Sequence, residues 1–344
     1  MANDFRLGVD IGGTFTDFSV VNNTTGSVTV EKMLTSSSQP EDAVLRGVEL
    51  LAQKLPGLFE DLSEVIHATT LITNVILERK GSKTGLLTTA GFRDILEIGR
   101  EVRYDIFDMF IRLPVPLVPR KSRLCVSERI LADGSILEPL NVEDVTEAAN
   151  KFQAIGVEAV AIAFLHSYRN PSHEVEAANI LRKLMPGVTL SLSHEVFPEP
   201  KEYERFSTTV IDAYVKSVAD GYLEKLASGL SERGYKNELF VMLSNGGTST
   251  VETEKSVPIQ MVESGPAAGV EAACYFGRLM DIENLLSFDM GGTTAKLCIV
   301  EQGRAAKTRT FEVDRVQRFK AGSGLPAAVP VYDLLEIGAG GGSI

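Results

Sequence analysis

Tryptophan is absent from the 344 residues, and cysteine is limited to Cys125, Cys274 and Cys298. Three widely spaced cysteines make neither a disulfide framework nor a zinc pattern, so they read as buried free thiols. Histidine is scarce too, and His166, His173 and His194 show no ligand spacing; they are assigned no role. Basic residues are outnumbered, 34 against 46 acidic, for a net charge of −12. That balance argues against nucleic acid or an anionic membrane as the main partner. A local anion site stays open, because backbone amides bind anions without net positive charge. No apolar run approaches the roughly 20 residues of a spanning helix. No low-complexity tract occurs, and residues 1–6 lack the apolar core of a signal peptide. The expectation is a cytoplasmic globular protein, with two domains at this length.

What is present is a matched pair of glycine turns. Asp10-Ile11-Gly12-Gly13-Thr14-Phe15-Thr16-Asp17 ends one apolar run, 7–11, and precedes another, 18–21. This reads as strand, tight turn, strand. Paired glycines let N–H groups approach an anion, since no Cβ intervenes. Thr14 and Thr16 add hydroxyl donors, and Asp10 at a strand end can hold Mg²⁺ directly or through water. A lone Gly-Gly turn is as readily a plain hairpin. The pattern returns 279 positions on (289 minus 10), as Asp289-Met290-Gly291-Gly292-Thr293-Thr294. Leu7, Asp10, Gly12, Gly13, Thr14 and Val21 recur as Leu286, Asp289, Gly291, Gly292, Thr293 and Val300. Two such units suggest two half-sites clamping one polyphosphate.

Around them the chain reads as α/β. Residues 6–34 predict three antiparallel strands. A helix capped by Ser38 runs to Lys54, a strand covers 65–68, and Thr69-Thr70 opens a helix over 71–80. Strand 83–89 follows, and Gly91-Phe92-Arg93-Asp94 starts a short helix. Residues 99–120, rich in Arg, Phe and Pro, read as an irregular surface segment or flap. Asp133-Gly134 marks a hairpin. Asn141 caps a helix in a capping box with Asp144, stopped by Gly156. The continuous apolar run 157–165 predicts a strand covered on both faces. Ser172 caps another helix, with strand 188–193 after it. Pro198 and Pro200 mark a boundary between domains 1–198 and 199–344. Beyond it come a long helix over 202–230, strand 239–243 and a third glycine turn at 244–248. Ser264-Gly265-Pro266 then opens an Ala-rich helix.

Assembled, these blocks resemble the N-terminal half of the ATP-dependent subunit of the hydantoinase A / 5-oxoprolinase / acetone carboxylase family. The resemblance rests on the first glycine turn and on His67-Ala68-Thr69-Thr70-Leu71-Ile72-Thr73-Asn74. Gly91-Phe92-Arg93-Asp94-Ile95-Leu96-Glu97-Ile98-Gly99-Arg100, Ser244-Asn245-Gly246-Gly247 and Glu263-Ser264-Gly265-Pro266-Ala267-Ala268-Gly269 continue it. Asp289-Met290-Gly291-Gly292-Thr293-Thr294-Ala295-Lys296 and Gly338-Ala339-Gly340-Gly341-Gly342-Ser343 complete it, in family order over nearly the whole chain. Two departures stand out: Ala68 replaces a family glycine, and Lys296 stands where the first copy has Asp17. The latter resembles the hydantoinase and carboxylase branches more than oxoprolinase.

The resemblance implies an actin-like ATPase fold, a duplicated ribonuclease-H-like architecture whose second lobe is truncated here. Residues 1–198 would be the N-terminal domain with the first phosphate loop. Residues 199–344 would start the hydantoinase A domain with the second. The implied chemistry uses ATP and Mg²⁺ to activate a cyclic amide for ring opening, or a ketone or bicarbonate for carboxylation. A second, hydantoinase B-like subunit is the implied partner. Asp10 and Asp289 would hold the metal or orient the attacking group. Gly12, Gly13, Thr14, Thr16, Gly291, Gly292, Thr293 and Thr294 would bind phosphates. Lys296 would pair with phosphate or equally with a surface acid. His67 would orient substrate or act as acid or base. Thr69, Thr70, Asn74, Arg100 and Arg103 are substrate-contact candidates. A sugar kinase also carries Asp-Ile-Gly-Gly-Thr, but this chain lacks the Cys-rich zinc cluster of that family. A nucleotide-binding assembly module without turnover is the remaining alternative.

Overall fold

The computed structural model describes residues 4–36, 39–291, 294–309, 311–317 and 319–341. Its principal elements run β1 (Phe5–Ile11), β2 (Phe15–Asn22), β3 (Val28–Leu34), α1 (Pro40–Lys54), β4 (Leu62–Thr69), α2 (Leu71–Leu77), β5 (Thr84–Thr89) and β6 (Arg123–Val126). They continue α3 (Val142–Ala154), β7 (Ala159–Ala163), α4 (Ser172–Leu184), β8 (Thr189–Leu192), α5 (Glu202–Glu232), β9 (Leu239–Met242) and β10 (Thr248–Thr250). Last are α6 (Ser264–Leu279), β11 (Leu285–Met290), β12 (Ala295–Glu301) and β13 (Leu335–Ile337). Two compact units result: Met1–Asn74 with Ala219–Arg309 and Pro330–Ile344, and Val75–Val218 with Thr310–Val329. Each draws on both sides of the 198/199 position.

The first unit holds a six-stranded sheet in the order β10-β9-β4-β1-β2-β3. Strands β1, β2 and β3 are antiparallel neighbours, whereas β4 and β9 run parallel to β1. This is the ribonuclease-H-like arrangement. Strand β1 buries Phe5, Leu7, Val9 and Ile11 on alternate positions, the period of a pleated strand. Helix α1 buries Ala43, Val44, Gly47, Val48 and Leu51. It starts at Pro40 after Gln39; the expected cap Ser38 lies outside the described residues. A second sheet in this unit sets β12 antiparallel to both β11 and β13. Ala267, Val270 and Cys274 of α6 pack with Cys298 and Val300. All three cysteines are free; Cys274 and Cys298 are buried and Cys125 partly so.

The second unit is built on a wholly parallel sheet, β8-β7-β5-β6. Helices α3 and α4 cover one face with Val145, Phe152, Ala177 and Leu181. Phe206, Val210 and Ala213 of α5 pack with Leu86, Ala159, Ala161 and Ala163. Every residue of β7 is buried, as its unbroken apolar run predicts. The Asn141 side chain caps α3 by accepting from Glu143 and Asp144 N–H at 2.9 and 3.1 Å. Asp144 does not complete the box, because its carboxylate accepts from Ser127 N at 2.8 Å. Ser172 is the first helical residue of α4 rather than its cap; Asn170 Oδ1 accepts its N–H at 3.1 Å. The short helix expected to start within 91–94 forms at Ile95–Ile98, with Asp94 in its N-cap position. No helix or strand occurs from 99 to 119, where Phe107, Met109 and Phe110 are exposed. No described helix is long and apolar enough to cross a membrane.

Candidate active site

Strand β1 carries Asp10 to its end, opposite Asp17 on β2 and beside Ala68 on β4. The turn beyond closes when Gly12 N donates to Phe15 O at 2.9 Å. A Cβ on Gly12 would stand 3.2 Å from that same carbonyl, so the close approach favours glycine. Gly13 and Thr14 are exposed at the tip, as a phosphate loop requires. Thr16 is not at the tip. It is the first inward residue of β2, fully buried, with its hydroxyl 3.0 Å from that of Thr35. Thr35 in turn donates to Gly12 O at 2.9 Å. The expected phosphate donor Thr16 is therefore a brace beneath the turn.

Asp10 Oδ1 is buried and has no hydrogen-bond partner. The start of α6 lies against it: a Cβ on Gly265 would stand 2.8 Å from Asp10 Oδ1. Burial, with the charges of Asp17 and Asp289 adding, pushes the Asp10 carboxyl up to about 6; Lys32 and Lys296 oppose the shift. The residues before Gly265 lock this approach. Ser264 Oγ accepts from Thr69 N and donates to Thr69 O, both at 3.0 Å. Glu263 has left-handed backbone, φ 58°, and a buried side chain. Its Oε1 accepts from Thr73 Oγ1 at 3.1 Å, and its Oε2 pairs with Lys296 Nζ.

The second turn repeats the first in its hydrogen bonding. Gly291 N donates to Thr294 O at 2.9 Å, the same offset and length as Gly12 to Phe15. Asp289 ends β11 exposed and faces Lys296 across the strand pair. Gly341 N donates to Gly291 O at 3.0 Å, returning the glycine-rich stretch to this turn. Gly292 and Thr293 lie outside the described residues, as do Gly342 and Ser343.

The remaining candidates divide. Thr70 bonds the end of β1 through its N–H and hydroxyl, both to Ile11 O, at 3.0 and 3.2 Å. Asn74 donates to Thr70 Oγ1 at 3.3 Å. Thr69 is buried and accepts from Leu71 N at 3.0 Å, so its role is to start α2. His67 is buried in the core, its Nε2 2.8 Å from the Tyr222 hydroxyl. Burial pulls its pKa down to about 4, which keeps the ring neutral near pH 7. It is thus a core residue, and the acid–base role expected of it does not fit this placement. Arg100 and Arg103 belong to the second unit. Arg100 pairs there with Glu204, and Arg103 with the Asp108 carbonyl.

Among the described residues no group of three or more His, Cys, Asp or Glu side chains forms a metal cluster. The donors at hand suit a hard cation that keeps most of its water: one buried, unpartnered oxygen on Asp10 and an exposed carboxylate on Asp289. Sequence reasoning missed Glu263, Ser264, Thr73 and Tyr222.

A ribonuclease-H-like sheet with a glycine turn after its first strand, and a second matched turn, defines the actin-like ATPase class of α/β fold. The model of the hydantoinase/oxoprolinase N-terminal region matches residues 6–185, and the hydantoinase/oxoprolinase model matches 205–344. The chain belongs to the hydantoinase/oxoprolinase family. It is 34% identical to caprolactamase subunit alpha of Pseudomonas jessenii, over 99% of this chain and 48% of the relative. It is likewise 34% identical to the 5-oxoprolinase of Saccharomyces cerevisiae, over 99% of this chain and 28% of that protein. The crystal structure of the ATP-dependent caprolactamase superposes with a TM-score of 0.85 over 98% of this chain and 48% of that one. Nucleotide-free acetone carboxylase does so equally, at 26% identity. The chain therefore spans about half the length of the caprolactamase and acetone carboxylase chains.

Proposed function

We propose that this chain binds ATP at its paired glycine turns and contributes to the ATP-dependent ring opening of a cyclic amide of hydantoin, 5-oxoproline or lactam type. The carrying observation is the unpartnered Asp10 oxygen, buried beside the first turn and against the start of α6. A resonance-stabilised amide is a poor electrophile, and MgATP supplies the phosphoryl group that activates its carbonyl oxygen. Phosphoryl transfer asks a protein mainly for positioning and charge neutralisation. The exposed amides at Gly13 and Thr14, and those of the second turn, would bind phosphate oxygens. Asp10 and Asp289 would hold Mg²⁺, and Lys296 would add the positive charge. Above about pH 6 Asp10 is ionised and ready for a cation. Two relatives are subunits by name, caprolactamase subunit alpha and acetone carboxylase beta subunit, which supports a separately folded partner here.

The test is ATP hydrolysis by this chain, alone and within a polypeptide completed to the relatives' length, with a partner subunit present. Hydantoin, 5-oxoproline, caprolactam, and acetone with bicarbonate are added in turn. Phosphate release stimulated by a cyclic amide is expected. Stimulation by acetone with bicarbonate alone would replace this reading with ketone carboxylation. Nucleotide binding without turnover under every condition would leave an assembly module.

A further inference from the structure

We infer that Glu263 is a positioning residue: it fixes the Lys296 ammonium where the phosphates of a bound nucleotide meet it. The inference rests on the ATP reading above. Eight described non-glycine residues have positive φ, and Glu263 alone among them is buried. A left-handed position before a helix is filled with least strain by glycine. Here a bulky acid holds it, and its carboxylate is taken out of water as well. Strain of this kind persists where the surroundings over-determine it, and it gathers at functional sites.

Both carboxylate oxygens are engaged, one by the Thr73 hydroxyl and one by Lys296. The Glu263 carboxylate is thus buried and held by neighbours on both oxygens, and its action passes through the lysine. Lys296 faces Asp289 across the hairpin, and its charge reaches Asp10. The ammonium is thus held on the strand pair that carries Asp289, with its charge felt at Asp10. The anchor is itself anionic, so it opposes phosphate binding while it fixes the cation. A purely structural acid would leave turnover per folded molecule unchanged. A positioning acid improves turnover through the lysine, and that effect vanishes when the lysine is gone, whereas the repulsion of phosphate by its charge does not.

The experiment compares Glu263→Gln, Lys296→Met and the double variant by two readouts. In urea unfolding, Lys296→Met strands a buried carboxylate, so the double variant should unfold at higher urea than Lys296→Met alone. In calorimetry with Mg²⁺ and a non-hydrolysable ATP analogue, Glu263→Gln should bind several-fold tighter than wild type. Lys296→Met should bind at least tenfold weaker, and adding Glu263→Gln to it should recover part of that loss, because the unpaired carboxylate no longer repels phosphate. In an active assembly, Glu263→Gln should lower kcat without raising KM for ATP, and should lower kcat no further once Lys296 is Met. An equal fall in kcat on Glu263→Gln with and without the lysine would overturn the positioning role while leaving the ATP reading intact. No analogue binding to wild type, with coupled urea midpoints, would instead reject the ATP reading and reduce the pair to a fold contact.

Discussion

Asp10 and His67 lie on neighbouring strands and are perturbed in opposite senses by the same cause, burial. Asp10 is raised to about 6, so the folded chain binds its proton more readily than the unfolded chain does. Its ionised form is a destabilising element above pH 6, relieved as pH falls towards 4. In a metal-free chain kept in EDTA, Asp10→Asn should be more stable than wild type at pH 7.5. The gain should be about 2 kcal/mol once partial exposure is allowed for. That gap should close as pH falls from 6 to 4. His67 is lowered to about 4, so its neutral form contributes stability present above pH 6.5 and lost as pH falls through 4. His67→Gln should start below wild type at neutral pH, and its gap should also close in acid, by about 3 kcal/mol. Urea unfolding across pH 4–8 reads both. A pH-independent gap for Asp10→Asn would mean that its carboxyl is unperturbed.

Helix α1 shows what one residue permits an element to do. Gly47 meets the Phe18 ring so closely that a Cβ would stand 2.0 Å from Cζ. Alanine in a helix interior ordinarily gains about 1 kcal/mol over glycine. Here overpacking should reverse the sign, and Gly47→Ala should lose about 1–3 kcal/mol in urea unfolding. A stabilised variant would show that Phe18 swings aside. The elements themselves were largely legible. An apolar run ending in two glycines marked β1 and its turn, an unbroken apolar run marked β7, and the repeat 279 positions on marked the second turn. Which side chains face the site was less so. Thr16 shares the inward phase of Phe18 and Val20, and His67 that of Val65 and Thr69, so strand period alone could have placed both in the core. Glu263 stood in a block of the family resemblance, but nothing local assigned it a role. Its partner Lys296 is 33 positions away on a hairpin, and only the folded chain joins them.

At the scale of the whole molecule, the decisive fact is that both units are interleaved in sequence. Strand β9, beyond residue 198, pairs with β4, which lies before it. Phe206, Val210 and Ala213 of α5, also beyond it, pack with Leu86, Ala159 and Ala161 from before it. A fragment ending at 198 therefore loses a parallel neighbour of β4 in one unit and an apolar cover of β7 in the other. A fragment of 75–218 keeps all four parallel strands, α3, α4 and the covering part of α5, and lacks only the Thr310–Val329 segment of its unit. The shorter fragment should accordingly be the better folded. It should unfold in urea with a single sharp transition and resist limited proteolysis, while 1–198 should melt broadly and be cut within its parallel sheet. The physical ground is that a parallel strand buried on both faces has no stable state with one face bare. If 1–198 instead unfolded cooperatively and resisted protease as well as the 344-residue chain, the α5 cover would be dispensable. The break at Pro198 and Pro200 would then divide folding units as well as sequence families.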